Sequence, residues 1–363
     1  MAKRAIPIVA ALGLLALMAA PVAAHDNGRG HARGANQYVV SYLESDGGVP
    51  AARTDPNLKN GWGLAALPTS PWWVANNHTD TSTLYGGDGA PRPLVVTVDG
   101  GPTGLIANTT TDFSVTGGGV SGVARFIFAT EGGQILGWSP TVPAAGSTQT
   151  EVGADRSDVD AIYKGLATGT VNGKNYLYAA DFHNGRIDVF DGTFQLQTWK
   201  DAFKDRWLPR GYAPFGIQNL NGLIFVTYAK QDADKEDEIA GRHRGFVDLF
   251  FANGTFLGRV ASRGALDAPW GLAWAPADFG RFSGDLLVGN FGDGKVNAYR
   301  WTNHGWRFDG TLRDEDHHAI VIDGLWGLGF GNGSAAGPLN SLYFTAGPND
   351  EENGSFGSIT AAG

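Results

Sequence analysis

Beyond residue 24 this chain contains no sulfur: it has no cysteine, and its two methionines are Met1 and Met18. Disulfides, thiolate metal sites, thiol nucleophiles and methionine oxidation are thereby excluded from everything that follows the leader. Positive charge is also scarce, with 27 Lys and Arg against 36 Asp and Glu, a formal net charge of −9. An acidic chain without a basic cluster is not expected to bind nucleic acid or an anionic lipid surface. Long apolar runs are missing after Ile6–Ala20, so no membrane span is expected, since one needs ~18 residues or more. There is no long amphipathic helical stretch. Nor is there a Gly-x-Ser-x-Gly elbow, a His-Glu-x-x-His pair, a P-loop or a dinucleotide fingerprint in its strand–turn–helix setting.

What is present is glycine, 54 of 363 residues, and aromatic residues: 20 Phe, 11 Trp and 10 Tyr. Such glycine content would suit a disordered chain, but an apolar fraction of 42% and regular strand patterns argue for a packed core. One short phrase organises them. It reads Gly-Trp-Gly-Leu at 61–64, Pro-Thr-Gly-Leu at 102–105 and Tyr-Lys-Gly-Leu at 163–166. It returns as Pro-Phe-Gly-Ile at 214–217, Pro-Trp-Gly-Leu at 269–272 and Leu-Trp-Gly-Leu at 325–328. The anchors Gly63, Gly104, Gly165, Gly216, Gly271 and Gly327 are spaced by 41, 61, 51, 55 and 56 residues. After each comes a β-rich run, a polar turn and a second β-rich run, as in YLYAADFHNGRIDVFD at 176–191.

A period near 50 residues carrying several short strands predicts an all-β, six-bladed β-propeller. The anchor glycines allow neighbouring inner strands to approach closely, and Trp62, Phe215, Trp270 and Trp326 are expected to fill the space between blades. Tyr38–Leu43 reads as a strand that pairs into the sixth blade near Phe356–Thr360, removing two open edges. The propeller is expected over residues 38–363, acting as a monomer. The segment 229–244, AKQDADKEDEIAGRHR, is charged and nearly free of apolar residues, so a solvated, dispensable loop is expected between two strands of blade four.

Residues 1–24 have the form of a secretory signal peptide: Lys3 and Arg4, then the apolar run, then small residues at Val22-Ala23-Ala24. Export to the periplasm or the exterior follows as an expectation, with 25–37 a flexible mature start. Cleavage after Ala24 would leave His25 with a free amine able to join its ring nitrogen in chelating Cu²⁺.

Chemistry is expected where the turns between second and third strands meet the starts of the inner strands, around one mouth of the central tunnel. Asn76, Asn77, His78, Asp181, His183, Asn184, Asn290, Asp293, Asn349, Asp350 and Glu351 all belong to that set. Oxygen donors such as Asn76, Asp181, Asn290 and Asn349 suit Ca²⁺ or another divalent metal. His78 and His183, equivalent positions in blades one and three, are candidate catalytic bases or transition-metal ligands. The same residue types are the ordinary material of tight turns, because they tolerate left-handed backbone and bond locally. Two function classes stay open: a binding or scaffold protein that holds a protein, glycan or small ligand at the polar mouth, and a metal-dependent hydrolase or lyase.

The strings YAADFHNGRIDVFD (178–191), DAPWGLAWAPADFGRFSGDLLVGNFGDGKVNAY (267–299), IDGLWGLGFGNG (322–333) and LYFTAGPNDEENGSFGSI (342–359) resemble a family of exported bacterial six-bladed propellers. Many members of that family carry a PEP-CTERM sorting tail, which this sequence, ending at Gly363, does not show. The resemblance covers 38–359 and implies a fold and an export route without naming a substrate. At greater distance the repeats are similar to NHL and gluconolactonase-like propellers, several of which are metal-dependent hydrolases or lyases.

Overall fold

Six inner strands surround one axis: Gly61–Ala65, Pro102–Ala107, Tyr163–Val171, Tyr212–Leu220, Pro269–Trp274 and Leu325–Phe330. The computed structural model describes residues 34–362; the proposed leader and most of the expected flexible segment lie outside these. Each anchor glycine faces the backbone of the next blade, at a distance no side chain tolerates. A Cβ on Gly63 would stand 2.3 Å from the carbonyl oxygen of Thr103, one on Gly165 2.7 Å from that of Phe215, and one on Gly216 2.2 Å from that of Trp270. Gly327 meets the carbonyl of Trp62 at 2.8 Å, which brings blade six back to blade one.

Each inner strand starts an antiparallel sheet, four-stranded in five blades; the sixth sheet has a fifth, two-residue strand, Arg53–Thr54, paired parallel at its outer edge. In blade two the hairpin Ser114–Gly117 and Val120–Val123 is inserted between the first and second strands, which accounts for the longest spacing in the repeat. The sixth sheet is completed from the other end of the chain. Tyr38–Ser45 pairs antiparallel with Ser355–Ala361, Tyr38 opposite Ala361 and Ser45 opposite Ser355, with a bulge between Tyr42 and Glu44. The Tyr38 hydroxyl donates to the Phe279 carbonyl at 3.0 Å, and its ring stacks on Phe282. The propeller and its N-terminal closure are therefore as the repeat predicts.

Apolar side chains are buried in six clusters between neighbouring sheets, for example Leu177 and Phe190 of blade three against Ile127 and Ile135 of blade two. A seventh cluster lies on the axis and contains Trp62, Phe182, Phe215 and Trp326. This is where the expectation for the aromatic residues of the phrase needs correcting. Trp62 of blade one reaches Trp270 of blade five, with ring centroids 6.4 Å apart, and Phe215 of blade four reaches Trp326 of blade six at 5.7 Å. Those blades are not neighbours, so the rings meet across the axis rather than wedging adjacent sheets apart. The cause is a register shift that falls within the phrase in every blade, such as between Gly61 and Leu64 or between Pro269 and Leu272. A bulge re-aims the side chain it carries.

Candidate functional site

The second residue of the phrase occupies equivalent positions around the axis in all six blades: Trp62, Thr103, Lys164, Phe215, Trp270 and Trp326. Because each inner strand begins where the second strand ends, Gly61 opposite Asn76 and Pro269 opposite Asn290, this ring lies at the mouth bordered by the hairpin turns. Trp62 and Trp326 stack with centroids 3.7 Å apart, and Phe291 stacks on Trp326 at 4.1 Å. Together these rings plug the axis.

Lys164 is the one charged member of the ring. Its side chain is 1% exposed, and its ammonium lies 5.1 Å from the centre of the Trp62 ring. It pairs closely with Glu131 from the turn of blade two, and with Asp237 from the long insert of blade four at 3.0 Å. Asn77 Nδ2 donates to the second Glu131 oxygen at 2.8 Å. Asn60 Nδ2 donates to Glu351 of the blade-six turn at 2.6 Å, while Asn60 Oδ1 accepts from Trp326 Nε1 at 2.9 Å. Trp270 Nε1 donates to the Lys164 carbonyl at 2.8 Å. All six blades thus contribute a side chain to one polar cap over an aromatic plug. One donor is left over: Trp62 Nε1 is buried and has no partner among the described residues.

The electrostatics follow from four carboxylates facing one ammonium. Burial pulls the Lys164 ammonium down, but Glu131 and Asp237 outweigh it and hold the group above the ordinary lysine range. Glu238, beside Asp237 in the insert, is half-buried. Loss of solvation raises its carboxyl to about 8 against the pull of Lys164, with Glu351 and Asp237 adding repulsion. Burial likewise raises Glu351, opposed by its bond from Asn60 and by Lys164. The mouth therefore carries at least one carboxyl, Glu238, that holds its proton more tightly than an ordinary carboxylate does.

The blade-four insert is more than a solvated loop. Ala233–Asp237 is exposed, yet Asp237 holds Lys164, the Gln231 amide donates to the Phe182 carbonyl at 2.6 Å, and Gly241 N–H donates to Asp267 Oδ1 at 2.6 Å. A stretch with almost no apolar residues is tied down here by polar bonds, which its composition does not reveal.

The residues singled out from the sequence are arranged differently. Asn76, Asp181 and Asn290 do occupy equivalent, buried positions at the ends of second strands. Their side chains bond within their own blades: Asn76 to Thr81 and Thr83, Asp181 to Asn184, Asn290 to Asp293 and the Ala265 carbonyl. Asn349 lies further along the blade-six turn with φ +59°, exposed, donating to Asn353. His78 is exposed in a short 3₁₀ turn, whereas His183 is half-buried with its Nδ1 unpartnered, as is Asn290 Oδ1. Among the described residues no three His, Asp or Glu side chains are grouped as a metal site would group them. Lys164 and Glu131 were not among the candidates. The signal for Lys164 was nevertheless present, a charged residue at the one position of the phrase where the other blades carry Trp, Phe or Thr.

Past the plug the tunnel changes character. A cavity of about 20 Å³, room for one water, is ringed by Leu64, Leu105, Leu166, Ile217, Leu272 and Leu328. It leads to an open funnel of about 380 Å³ between the far ends of the inner strands, lined mainly by Leu, Ala, Trp72, Trp274 and Phe330. Thr168, Gln218 and Asn219 add polar groups to it, and no charged residue lines it.

Ring, closure and axial site define a six-bladed β-propeller. Solved propellers superpose on it over most of their length. One is virginiamycin B lyase from Staphylococcus aureus, with a TM-score of 0.51 at 13% identity, covering 90% of this chain and 100% of that one. Another is a glucose dehydrogenase, with a TM-score of 0.50 at 14% identity, covering 90% and 99%. At such identities the likeness concerns the fold alone. No family model matches the chain. Proteins of Acanthamoeba polyphaga mimivirus do, among them the following two. Uncharacterized protein R648 is 31% identical over 340 residues, 91% of this chain and 82% of its own length. Uncharacterized protein L690 is 30% identical over 343 residues, 91% and 87%. The chain belongs to the family that these proteins represent.

Proposed function

We propose that this is a binding protein that holds a small polar ligand at the charged mouth of the tunnel, under the blade-four insert. The observation that carries the reading is the unpartnered Trp62 N–H beneath a cap of one ammonium and four carboxylates from four blades. A buried donor without an acceptor is a place a ligand oxygen or an ordered water can occupy. The surplus of carboxylates favours a ligand that also donates, such as a polyol, amino sugar or small amine. Export through residues 1–24 and a monomeric state belong to the same proposal, supported by the leader-like sequence and by the closure of the ring.

The metal-dependent reading is kept as a second one, because the His183 Nδ1 and Asn290 Oδ1 atoms are buried without partners. One experiment separates the two: elemental analysis of protein purified without chelators, then melting with EDTA and with panels of polyols, amino sugars and amines. A compound that raises the melting temperature of the wild type and not of Glu131→Gln supports the mouth site. A tightly held ligand at a hundredfold excess over its dissociation constant adds about 3 kcal/mol, readily seen in a melt. Stoichiometric metal removed by EDTA and absent from Asp181→Ala would replace binding by metal chemistry.

A further inference from the structure

The rim of blade four carries a second feature, independent of the axis. A surface cleft of about 630 Å³ is lined by Asp205, Trp207, Phe246, Phe256, Arg259 and Arg263. That volume falls in the range of small-molecule sites. Trp207 is 76% exposed, unusual for an indole, and it is fixed rather than loose. Its backbone N–H donates to Asp205 Oδ1 at 2.8 Å, and its ring rests tilted against Phe256 with centroids 5.9 Å apart. The Asp205 carboxylate is fully buried and paired with Arg259, which is also paired with Asp248 and lies over the Phe246 ring at 4.6 Å. Arg259 is thus consumed in holding the floor and the Trp207 loop. Arg263 is not: it is exposed, and no described residue forms an ion pair or hydrogen bond with its side chain.

We propose that this cleft is a binding site for an acidic oligosaccharide, with a sugar ring stacked on Trp207 and a uronate carboxylate bound by Arg263. A flat, exposed and pinned indole matches the apolar C–H face of a pyranose at little entropic cost, since the ring is already placed. A free guanidinium takes a carboxylate in a two-point bond. The two groups stand toward opposite ends of the outer strand Phe256–Ser262. A strand of that length spans roughly 20 Å, enough for a few sugar residues and too long for a single one. The outer edge of this strand is also unsuited to an added peptide strand. Its pairing is shifted at two places, between Val247 and Asp248 and between Leu249 and Phe250, and Gly258 has φ +158°. Such irregularity breaks the even row of backbone groups that strand addition needs.

The test is calorimetric titration of a trigalacturonate, a neutral cellotriose and a poly-glutamate peptide into the full protein, with tryptophan fluorescence as a second readout. The trigalacturonate is expected to bind and to change indole emission. Trp207→Ala should weaken it by tenfold or more, as loss of a stacking anchor does. Arg263→Ala should weaken the uronate about tenfold, the size of one charge-assisted contact, and leave the cellotriose unchanged. Both side chains are exposed, so both variants should melt as the wild type does, and Glu131→Gln should bind the saccharide normally. Absence of trigalacturonate binding at millimolar concentration, equal binding by Trp207→Ala, or preference for the peptide would each overturn the proposal. So would concentration-dependent self-association that Trp207→Ala abolishes, which would assign the indole to a second copy of the chain.

Discussion

The two ends of the central tunnel are built from the same six strands, yet one is closed and charged and the other open and uncharged. At the closed end the residue before each anchor glycine is large in four blades, and its ring crosses the axis. At the open end the same strands present Ala65, Ala107, Ala167 and Ala273, and a funnel of about 380 Å³ remains. Side-chain bulk at two strand positions therefore decides at which end the tunnel itself stays open. Chemistry follows the same division, because turns from all round the ring reach the closed end. Carboxylates brought there lose water and need Lys164. The open end has no charge to satisfy, and its stability rests on burial.

That contrast has measurable sides. The largest effect is expected at the uncharged end, where Leu272→Ala should cost about 3 kcal/mol, because Leu272 is 3% exposed in the core between blades four and five. In chemical denaturation this loss should be the same from pH 5 to pH 8; a strong pH dependence would show that the two ends are coupled. Next comes Lys164→Met, with an expected loss of about 2 kcal/mol at neutral pH. That is less than for a fully enclosed pair, since water reaches the Glu131 left behind. Here the loss should shrink in acid, because an ion pair exists only while its carboxylate is charged. An equal loss in acid and at neutral pH would mean that packing against Trp62, and not charge, is what Lys164 supplies.

Glu238→Gln sharpens the comparison further. Glu238 binds its proton more tightly folded than unfolded, with a carboxyl raised to about 8, chiefly by burial. Its contribution is full below the ordinary carboxylate range and is lost as pH rises through that range toward 8. The variant should therefore flatten the pH–stability curve over this window by on the order of 1 kcal/mol. Glu44 slopes the same way. It is buried in the closing strand and raised to about 7 by burial and by Asp55, so the difference between variant and wild type isolates the mouth. The smallest effect belongs to Asp237→Asn. Its side chain is 71% exposed, and the pair with Lys164 should be worth about 0.5 kcal/mol and fade in high salt. Unchanged stability at low salt would mean that the insert is held by Gln231 and Gly241 alone.

Much of the fold was legible because the repeat carries its own explanation. A glycine recurs where neighbouring backbones nearly touch, and the spacing of Gly63 to Gly327 counts the blades. The strands Trp72–Asn76, Phe126–Thr130 and Gln134–Trp138 follow from local β patterns. The site was harder to read, for two reasons. Asn76, Asp181 and Asn290 are indeed near the mouth, but a short polar side chain at a strand end satisfies the adjoining turn first. The cap itself draws on Glu131, Lys164, Asp237 and Glu351, which come from four blades and meet only once the ring has closed. No local spacing encodes that meeting. The direction of the four aromatic rings was equally hidden, because it depends on a bulge in pairing with a strand some 15 residues away.

Closure of the ring has a consequence for how the chain is made. Ser45 pairs with Ser355, 310 residues later. At 5–20 residues per second, the first strand waits roughly a quarter of a minute to a minute on the ribosome for its partner. Blades one to five need only hairpin pairings close in sequence and can form as they emerge. The sixth sheet cannot be completed until Ala361 has been translated. In the meantime Tyr38–Ser45 and the first blade present unpaired edges, the features that draw nascent chains together. A chain that stops before Ser355–Ala361 therefore keeps five complete blades and two unpaired strand edges at the seam.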